Sequence, residues 1–355
     1  MSSDQFSAVQ RILIRAANWV GDAIMTTPAL RAVRHHFPAA EITLLAKPWV
    51  IPVFENSPDI DRIMVYDANG RHSGPTGLWR LAQDTRGGQF DLAILLQNAF
   101  EAALLAFLAR IPRRMGFTTD ARTLLLTDRI RSWRPLKRGH LIDYYLGLMA
   151  GAGIASRGRD LTLVLSDSER EEARCFLSRH GIHGQDLIIG LNPGAAFGTA
   201  KRWLPERYAE LGRRLMAQHA ARLLIFGSSS EAELGRQMAA EIGNDCLSLS
   251  GQTSLRQAMA LIGECDLFIT NDSGLMHVAA ALDVPQVAII GPTDPTATGP
   301  VNAQSLLVHR PEACYLSPCL KPHCPIIDHR CMTAISVDMV MDAAVSLLNR
   351  SKATE

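Results

Sequence analysis

No strong charge of either sign, no membrane-length apolar run and no cofactor fingerprint occur in this chain of 355 residues. A formal net charge of +1 lacks the overall basic signature of a nucleic-acid-binding protein, and no nucleic-acid partner is expected. No stretch approaches the roughly 18–20 consecutive apolar residues that span a bilayer. The nearest, "AALLAFLA" at 102–109, is too short and follows Glu101. The opening "MSSDQFSAVQ" has no positive segment followed by an apolar one, so no signal peptide is expected. Seven cysteines, an odd number in a large chain, do not suggest a secreted disulfide scaffold. A cytoplasmic protein is the expectation. No G-x-G-x-x-G opens a helix after a strand, which removes the nicotinamide-cofactor signature. The G-x-S-x-G of the α/β-hydrolases is missing as well.

What is present is an alternation of strand-length apolar runs with helix-length segments, in a chain long enough for two domains. Candidate strands are "RILIR" (11–15), "EITLLA" (41–46), "DRIMVY" (61–66) and "DLAILL" (91–96), with helices beginning near Asp22, Trp49, Gly77 and Ala99. The pattern resumes with "DLIIGLN" (186–192), "ARLLIFG" (221–227), "CDLFITN" (265–271) and "PQVAIIG" (285–291), separated by helical segments near 205–219, 231–242, 254–263 and 274–282. Strands rich in Leu, Ile and Val without polar alternation are buried on both faces, which implies parallel sheets covered by helices. The alternation weakens between about 155 and 185, and the boundary is placed there: a first domain over 1–165 and a second over 166–355. Ligands of such sheets bind beyond the carboxyl ends of the strands, so the loops that follow them are the ones to inspect.

In "LNPGAAFGTAKRW" (191–203) a strand ends and Gly194, Ala195 and Gly198 follow, with Lys201 three residues on. Small residues let backbone N–H groups approach an anion, and Lys adds a point charge. The loop is either a phosphate cradle or an ordinary turn with a solvated Lys; it is not the G-x-x-x-x-G-K-[ST] loop. In "TNDSGLMHVAAAL" (270–282), Asn271, Asp272 or Ser273 can cap the next helix, where Ser273 and Gly274 offer backbone donors to an anion and His277 lies one turn in. "GPTDPTATGP" (291–300) either lines the same pocket or is a connector. In "FGSSSEAE" (226–233), Glu231 or Glu233 either binds ribose hydroxyls or favours a helix start by its charge. Cys314, Cys319, Cys324 and Cys331, spaced x4, x4 and x6 with His323 and His329 among them, are zinc-type residues. They are either weak metal candidates or reduced thiols.

Residues 1–180 carry 23 Lys/Arg against 18 Asp/Glu, and the remainder 13 against 17. The excess concentrates in 110–138, with Arg110, Arg113, Arg114, Arg122, Arg129, Arg131, Arg134, Lys137 and Arg138. This is either a solvated face or a patch for an anionic acceptor or acidic membrane surface. Near the N-terminus, "NWVGDAIMTTPALRAVRHHFP" reads as a turn and an amphipathic helix, with Asp22 where a cap would stand.

These motifs together resemble the bacterial lipopolysaccharide heptosyltransferases, glycosyltransferase family 9. The resemblance runs over nearly the whole chain, from "ILIRAANWVGDAIMTTPALRAV" through "NPGAAFGTAKRW" and "TNDSGLMHVAAAL" to "SPCLKPHCP", and is fullest with the II enzymes. One departure is Leu204 in "KRWLPE", where those enzymes often run Trp directly into Pro. The resemblance implies a GT-B fold, two Rossmann-like domains with parallel sheets facing a cleft, the first binding the acceptor and the second ADP-heptose. The last helix is then expected to pack back on the first domain. It implies an inverting transfer of heptose from ADP-L-glycero-β-D-manno-heptose to the first heptose on Kdo2-lipid A, in an α1→3 link, with no metal or other cofactor. Asp22 then falls on the general base, and Lys201 on the diphosphate lysine. Gly194, Ala195, Gly198, Asp272, Ser273, Gly274 and His277 fall on donor loops, with Glu231 toward the ribose. Asn18, Arg113, Arg114 and Arg122 are acceptor-side candidates. A monomer at the cytoplasmic face of the inner membrane is expected. The competing readings are a heptosyltransferase I or III with another acceptor, a nucleotide-sugar epimerase of similar fold, and a non-catalytic nucleotide-sugar binder.

Overall fold

A computed structural model describes residues 8–132 and 139–352. The chain divides into two compact units, Met1–Val164 and Leu165–Glu355. Arg134, Lys137 and Arg138 of the basic segment lie outside the described residues.

The first unit holds strands β1 (Arg11–Arg15), β2 (Glu41–Ala46), β3 (Arg62–Val65), β4 (Leu92–Leu95), β5 (Arg113–Phe117) and β6 (Asp128–Ile130), and helices α1 (Val20–Met25), α2 (Thr27–His36), α3 (Gly74–Gly87), α4 (Phe100–Leu108) and α5 (Leu141–Gly151). The second holds β7 (Ile188–Asn192), β8 (Arg222–Ile225), β9 (Cys246–Ser248), β10 (Leu267–Asn271), β11 (Gln286–Ile290) and β12 (Ser305–His309). Its helices are α6 (Asp167–Arg179), α7 (Pro205–His219), α8 (Ala232–Ile242), α9 (Leu255–Ile262), α10 (Gly274–Ala281) and α11 (Val337–Lys352), with single helical turns at Pro295–Thr298 and Arg330–Thr333.

Every strand pair is parallel. The sheets run β3-β2-β1-β4-β5-β6 and β12-β11-β10-β7-β8-β9. Counted from the first strand of each unit, both follow the order 3-2-1-4-5-6. The chain therefore reverses direction across each sheet between its first and fourth strands, β1 and β4 in one unit and β7 and β10 in the other. A crevice opens at the carboxyl ends of such a pair because the loops leave to opposite sides.

The central strands form because nothing polar interrupts them. All five residues of β7, β10 and β11 are buried, and so are four of β1 and five of β2. Helix starts follow local chemistry: Ser166 with Glu169 and Ser254 with Gln257 close capping boxes at α6 and α9, and Pro205 opens α7 after Leu204.

Three expectations change. The segment near Trp49 yields only a short 3-10 turn, Ile51–Val53, because Pro48, Pro52 and Pro58 deny it three backbone donors. The Arg-rich segment contains two strands, β5 and β6, with Arg113 paired to Asp128 across them. The short strands β9 and β12 are likewise additions. The last helix, α11, lays Val340, Met341, Ala344, Leu347 and Leu348 into the core of the second unit.

Glu169 shows how one residue can serve two elements. It caps α6 and pairs through both oxygens with Arg256 of α9, the Nε donating to Oε1 at 2.6 Å. These bonds pull its carboxyl from 4.5 to about 2. A depressed carboxyl contributes stability that is complete above its unfolded value and is lost as pH falls through its folded one. Lowering the pH from about 5 to 2 should therefore remove on the order of 1–3 kcal/mol through this group. Urea midpoints across that range should fall less steeply for Glu169→Gln than for the wild type; equal slopes would dismiss the pair as a source of acid sensitivity.

Candidate active site

In the second unit the crevice between β7 and β10 is built on two asparagines that end these strands. Asn271 accepts at Oδ1 from the Trp203 N–H at 3.1 Å and the Tyr208 hydroxyl at 3.1 Å, and donates from Nδ2 to the Pro193 carbonyl at 2.7 Å. Asn192 donates both amide protons, to Thr270 Oγ1 at 2.9 Å and Ser273 Oγ at 2.8 Å. Trp203, Tyr208, Asn271 and Thr270 have no exposed surface, so these bonds do not compete with water. Complete burial also holds the Tyr208 phenol protonated, far above its ordinary range.

The network fixes both loops suspected of binding an anion. Lys201 is not a solvated side chain. Its Nζ lies 2.7 Å from Asp272 Oδ2, with side chains only 14% and 5% exposed. Thr293 donates to the same carboxylate oxygen at 2.5 Å, which brings the 291–300 loop into the site. The Phe197 ring lies 5.2 Å from the ammonium. Asp272 is therefore no helix cap. The N-cap of α10 is Ser273, whose side chain makes no capping bond; its Oγ instead receives Asn192. Gly274 opens α10 and His277 is buried one turn in.

The loop around Gly194 and Gly198 is closely held. A Cβ on Gly194 would stand 2.3 Å from Glu231 Oε1, and one on Gly198, at φ +152°, 2.1 Å from the Pro322 carbonyl. The Ala200 N–H donates to that carbonyl at 3.0 Å, and His329 Nε2 meets the Ala200 carbonyl at 2.7 Å. Thr199 meets His323 at 3.2 Å. The cysteine-rich segment thus braces the loop through residues other than cysteine. Cys314 and Cys331 are buried in the core, and burial pushes the Cys331 thiol up to about 11. The cysteines are free thiols, Cys319 and Cys324 among them. Among the described residues no group of three or more His, Cys, Asp or Glu is arranged to hold a metal ion.

Glu231 is buried, and its carboxylate accepts from four donors. Oε1 receives the Ala195 N–H at 3.1 Å and Arg202 Nη2 at 3.0 Å; Oε2 receives the Ser228 N–H at 2.9 Å and hydroxyl at 2.7 Å. It ties the Gly194 loop to the turn after β8. A ligand hydroxyl would reach it by replacing a donor such as the Ser228 hydroxyl. Glu233 instead pairs on the surface with Arg236.

In the first unit Asp22 stands after β1, at the equivalent crevice. It is the third residue of α1, half-buried; the N-cap is Trp19. The cap reading is therefore corrected: Asp22 stands inside the first turn of α1. Its charge reaches the buried Tyr145, whose phenol is raised by burial first and by Asp22 second. Asn18 is clamped on both sides, with Arg15 Nη2 donating to its Oδ1 at 2.9 Å and the Trp49 indole to its carbonyl at 2.8 Å.

The three acceptor-side arginines do not form an open patch. Arg122 is 0% exposed and donates to the Phe117 carbonyl at 2.9 Å, the Gln97 carbonyl at 2.5 Å and Asn98 Oδ1 at 2.6 Å. Burial lowers its pKa. Composition reports its charge and not its depth, so the surface reading is corrected: Arg122 pins the loop after β4. Arg113 is engaged by Asp128, and Arg114 by the Ile111 and Leu125 carbonyls at 2.5 and 2.7 Å. Sequence reasoning missed Asn192, Arg202, Tyr208 and Thr293. The signal it had was the polar Asn closing each of two otherwise apolar strands.

Two parallel doubly wound sheets, one of them carrying a Lys–Asp pair beside glycine loops and a helix N-terminus, are the architecture of the GT-B glycosyltransferases. The family model described as glycosyltransferase family 9 (heptosyltransferase) matches residues 78–327. A lipopolysaccharide heptosyltransferase 2 from Salmonella typhimurium is 33% identical over 313 residues, covering 84% of this chain and 87% of that protein. The solved structure of Escherichia coli ADP-heptose lipopolysaccharide heptosyltransferase II superposes with TM-score 0.80 at 28% identity, covering 97% of this chain and all of that one. A family 9 glycosyltransferase structure from Veillonella parvula gives TM-score 0.87 at 27% identity, covering 96% and 98%. The chain belongs to glycosyltransferase family 9 and is a heptosyltransferase.

Replacing Asn271 with Ala would strand the buried Trp203 N–H and Pro193 carbonyl, at a cost of about 2–4 kcal/mol. Urea unfolding should register that loss. A change under about 0.5 kcal/mol would mean that the loops hold without the amide.

Proposed function

We propose that the protein transfers L-glycero-D-manno-heptose from ADP-L-glycero-β-D-manno-heptose to the first heptose of the lipopolysaccharide inner core, forming an α1→3 link with inversion. The observation that carries this reading is Lys201, fixed by Asp272 beside the start of α10 at the crevice of the second unit. A diphosphate needs a cation and backbone donors there, and Lys201 has three N–H donors of which Asp272 occupies one. The second unit is thus the donor-binding half, and Ser273, Gly274, Gly194, Ala195 and Gly198 line the diphosphate. His277 backs that loop from inside α10, and Glu231 exchanges a donor for a ribose hydroxyl.

The first unit is the acceptor half. Asp22 takes the proton of the attacking hydroxyl as the anomeric C1–O bond to ADP breaks, and Lys201 with the α10 amides stabilises the charge gathering on the leaving diphosphate. Inversion requires base and leaving group on opposite faces of the sugar. Asn18, held by Arg15 and Trp49, positions the loop that carries Asp22. No helix among the described residues is long and apolar enough to cross a membrane. Work at a membrane surface is supported instead by the exposed Phe100, Phe107 and Leu124, with the Arg114 guanidinium 5.6 Å from the Phe107 ring.

Acceptors bearing no heptose, one heptose or two separate the family members. Transfer to the one-heptose acceptor is expected, and transfer only to the heptose-free form would refute the assignment. Asp22→Asn should lower kcat by about two to four orders of magnitude while ADP-heptose still binds. Near-wild-type turnover would remove Asp22 from the chemistry. Lys201→Met should raise the KM for the donor and lower kcat together, by about tenfold or more each; unchanged kinetics would return Lys201 to a purely structural pairing with Asp272.

A further inference from the structure

Beside the Asp22 loop, the first unit contains a cation with no ion-pair partner among the described residues. Lys47 follows β2, and its ammonium has no hydrogen-bond or ion-pair partner among the described residues. It lies instead 5.1 Å from the centroid of the Trp49 ring and 5.7 Å from that of Tyr66. It is half-buried. A second cation sits behind it: Arg15, at the end of the neighbouring β1, is buried and lies 5.2 Å from the Tyr66 ring. The Arg15 guanidinium donates to the Ala16 carbonyl at 2.7 Å and to Asn18 Oδ1 at 2.9 Å. Burial and the repulsion of Arg15 both lower the pKa of Lys47. The carboxylate that opposes them, Glu101, is engaged by the Tyr66 hydroxyl at 2.8 Å.

Half-buried ammonium groups are ordinarily paired. Here two cations converge at adjacent strand ends against one carboxylate, Glu101, whose charge reaches both, which leaves a net positive charge and an attraction for an anion. Trp49 adds the second half of a site. Its indole N–H is pegged to the Asn18 carbonyl, yet the side chain is 44% exposed. A fixed, open aromatic face beside an unpaired ammonium suits a sugar ring that bears a negative group.

We propose that Lys47 and Trp49 form an anion subsite for the acceptor, the ammonium pairing with a carboxylate or phosphate on the acceptor saccharide and the indole covering its ring. Arg15 contributes field from behind without touching the ligand. The proposal rests on the transferase reading and deepens it: the acceptor is recognised as an anionic saccharide, and its charge is held within the same loop cluster that carries Asp22.

The full chain is tested with a synthetic heptosyl-Kdo disaccharide in three forms: the free carboxylate, its neutral methyl ester, and the methyl ester carrying a phosphate on the heptose. Binding of each is measured calorimetrically, and transfer from ADP-heptose kinetically. Lys47→Met should weaken binding of one charged form and raise its KM by about tenfold, with the KM for ADP-heptose and kcat within about twofold. It should leave the neutral ester unaffected, and Lys47→Arg should restore most of the loss. Loss on the free carboxylate identifies a sugar acid as the ligand; loss on the phosphorylated ester alone identifies a phosphate. Trp49→Ala should weaken all three forms. Equal loss on charged and neutral forms, or a selective rise in the donor KM, overturns the proposal. The calorimetric arm decides without turnover: if no heptose is transferred the transferase reading fails, whereas unchanged affinity of Lys47→Met for both charged forms removes the subsite.

Discussion

The second unit depends on the Asn271 side-chain amide. It stands where β10 ends, and its bonded partners come from a helix, the segment leading into that helix and the loop after β7. A parallel sheet supplies strand ends but no rule for the loops that leave them. Here two buried amides, Asn271 and Asn192, supply it by spending their donors and acceptors on neighbouring backbone and hydroxyls. Lys201 and Ser273 owe their positions to this before any ligand arrives, and preorganisation of that kind is what electrostatic catalysis requires.

Much of the fold was legible because burial on both faces leaves a plain trace. The runs over β1, β2, β7, β10 and β11 are apolar without interruption, and each proves to be a strand of a parallel sheet. The strands that escaped, β5, β6, β9 and β12, lie at or next to sheet edges, where half-exposed positions admit Arg, Asp, Ser and His. Their formation is decided by the neighbour they pair with, which no local window contains. The false helix near Trp49 is the opposite error, a spacing taken without the prolines that interrupt it.

Of the candidate site, the residues legible in advance were those whose role is local: glycines where a backbone must turn or approach closely, and Lys201 after them. The asparagines were not, because the bonds of Asn192 and Asn271 cross between segments about 78 residues apart. The arginines show the limit of reading charge from composition. Arg122 and Arg15 are buried and donate to carbonyl oxygens, each shaping a loop at the crevice of the first unit, while half-buried Lys47 has no ion-pair partner among the described residues. In sequence all three look alike.

If the second unit holds the nucleotide as proposed, the pairing of Lys201 with Asp272 also bears on how that nucleotide leaves. A lone buried ammonium would hold a diphosphate strongly both before and after the sugar departs, and slow release would limit the cycle. An ammonium already half-neutralised by a carboxylate attracts a resting ligand weakly. It responds most where charge density grows, on the oxygen from which the sugar is separating. On the proposed reading, the carboxylate that takes up part of the lysine's charge would act as a governor on residence time, trading grip on the product for pace.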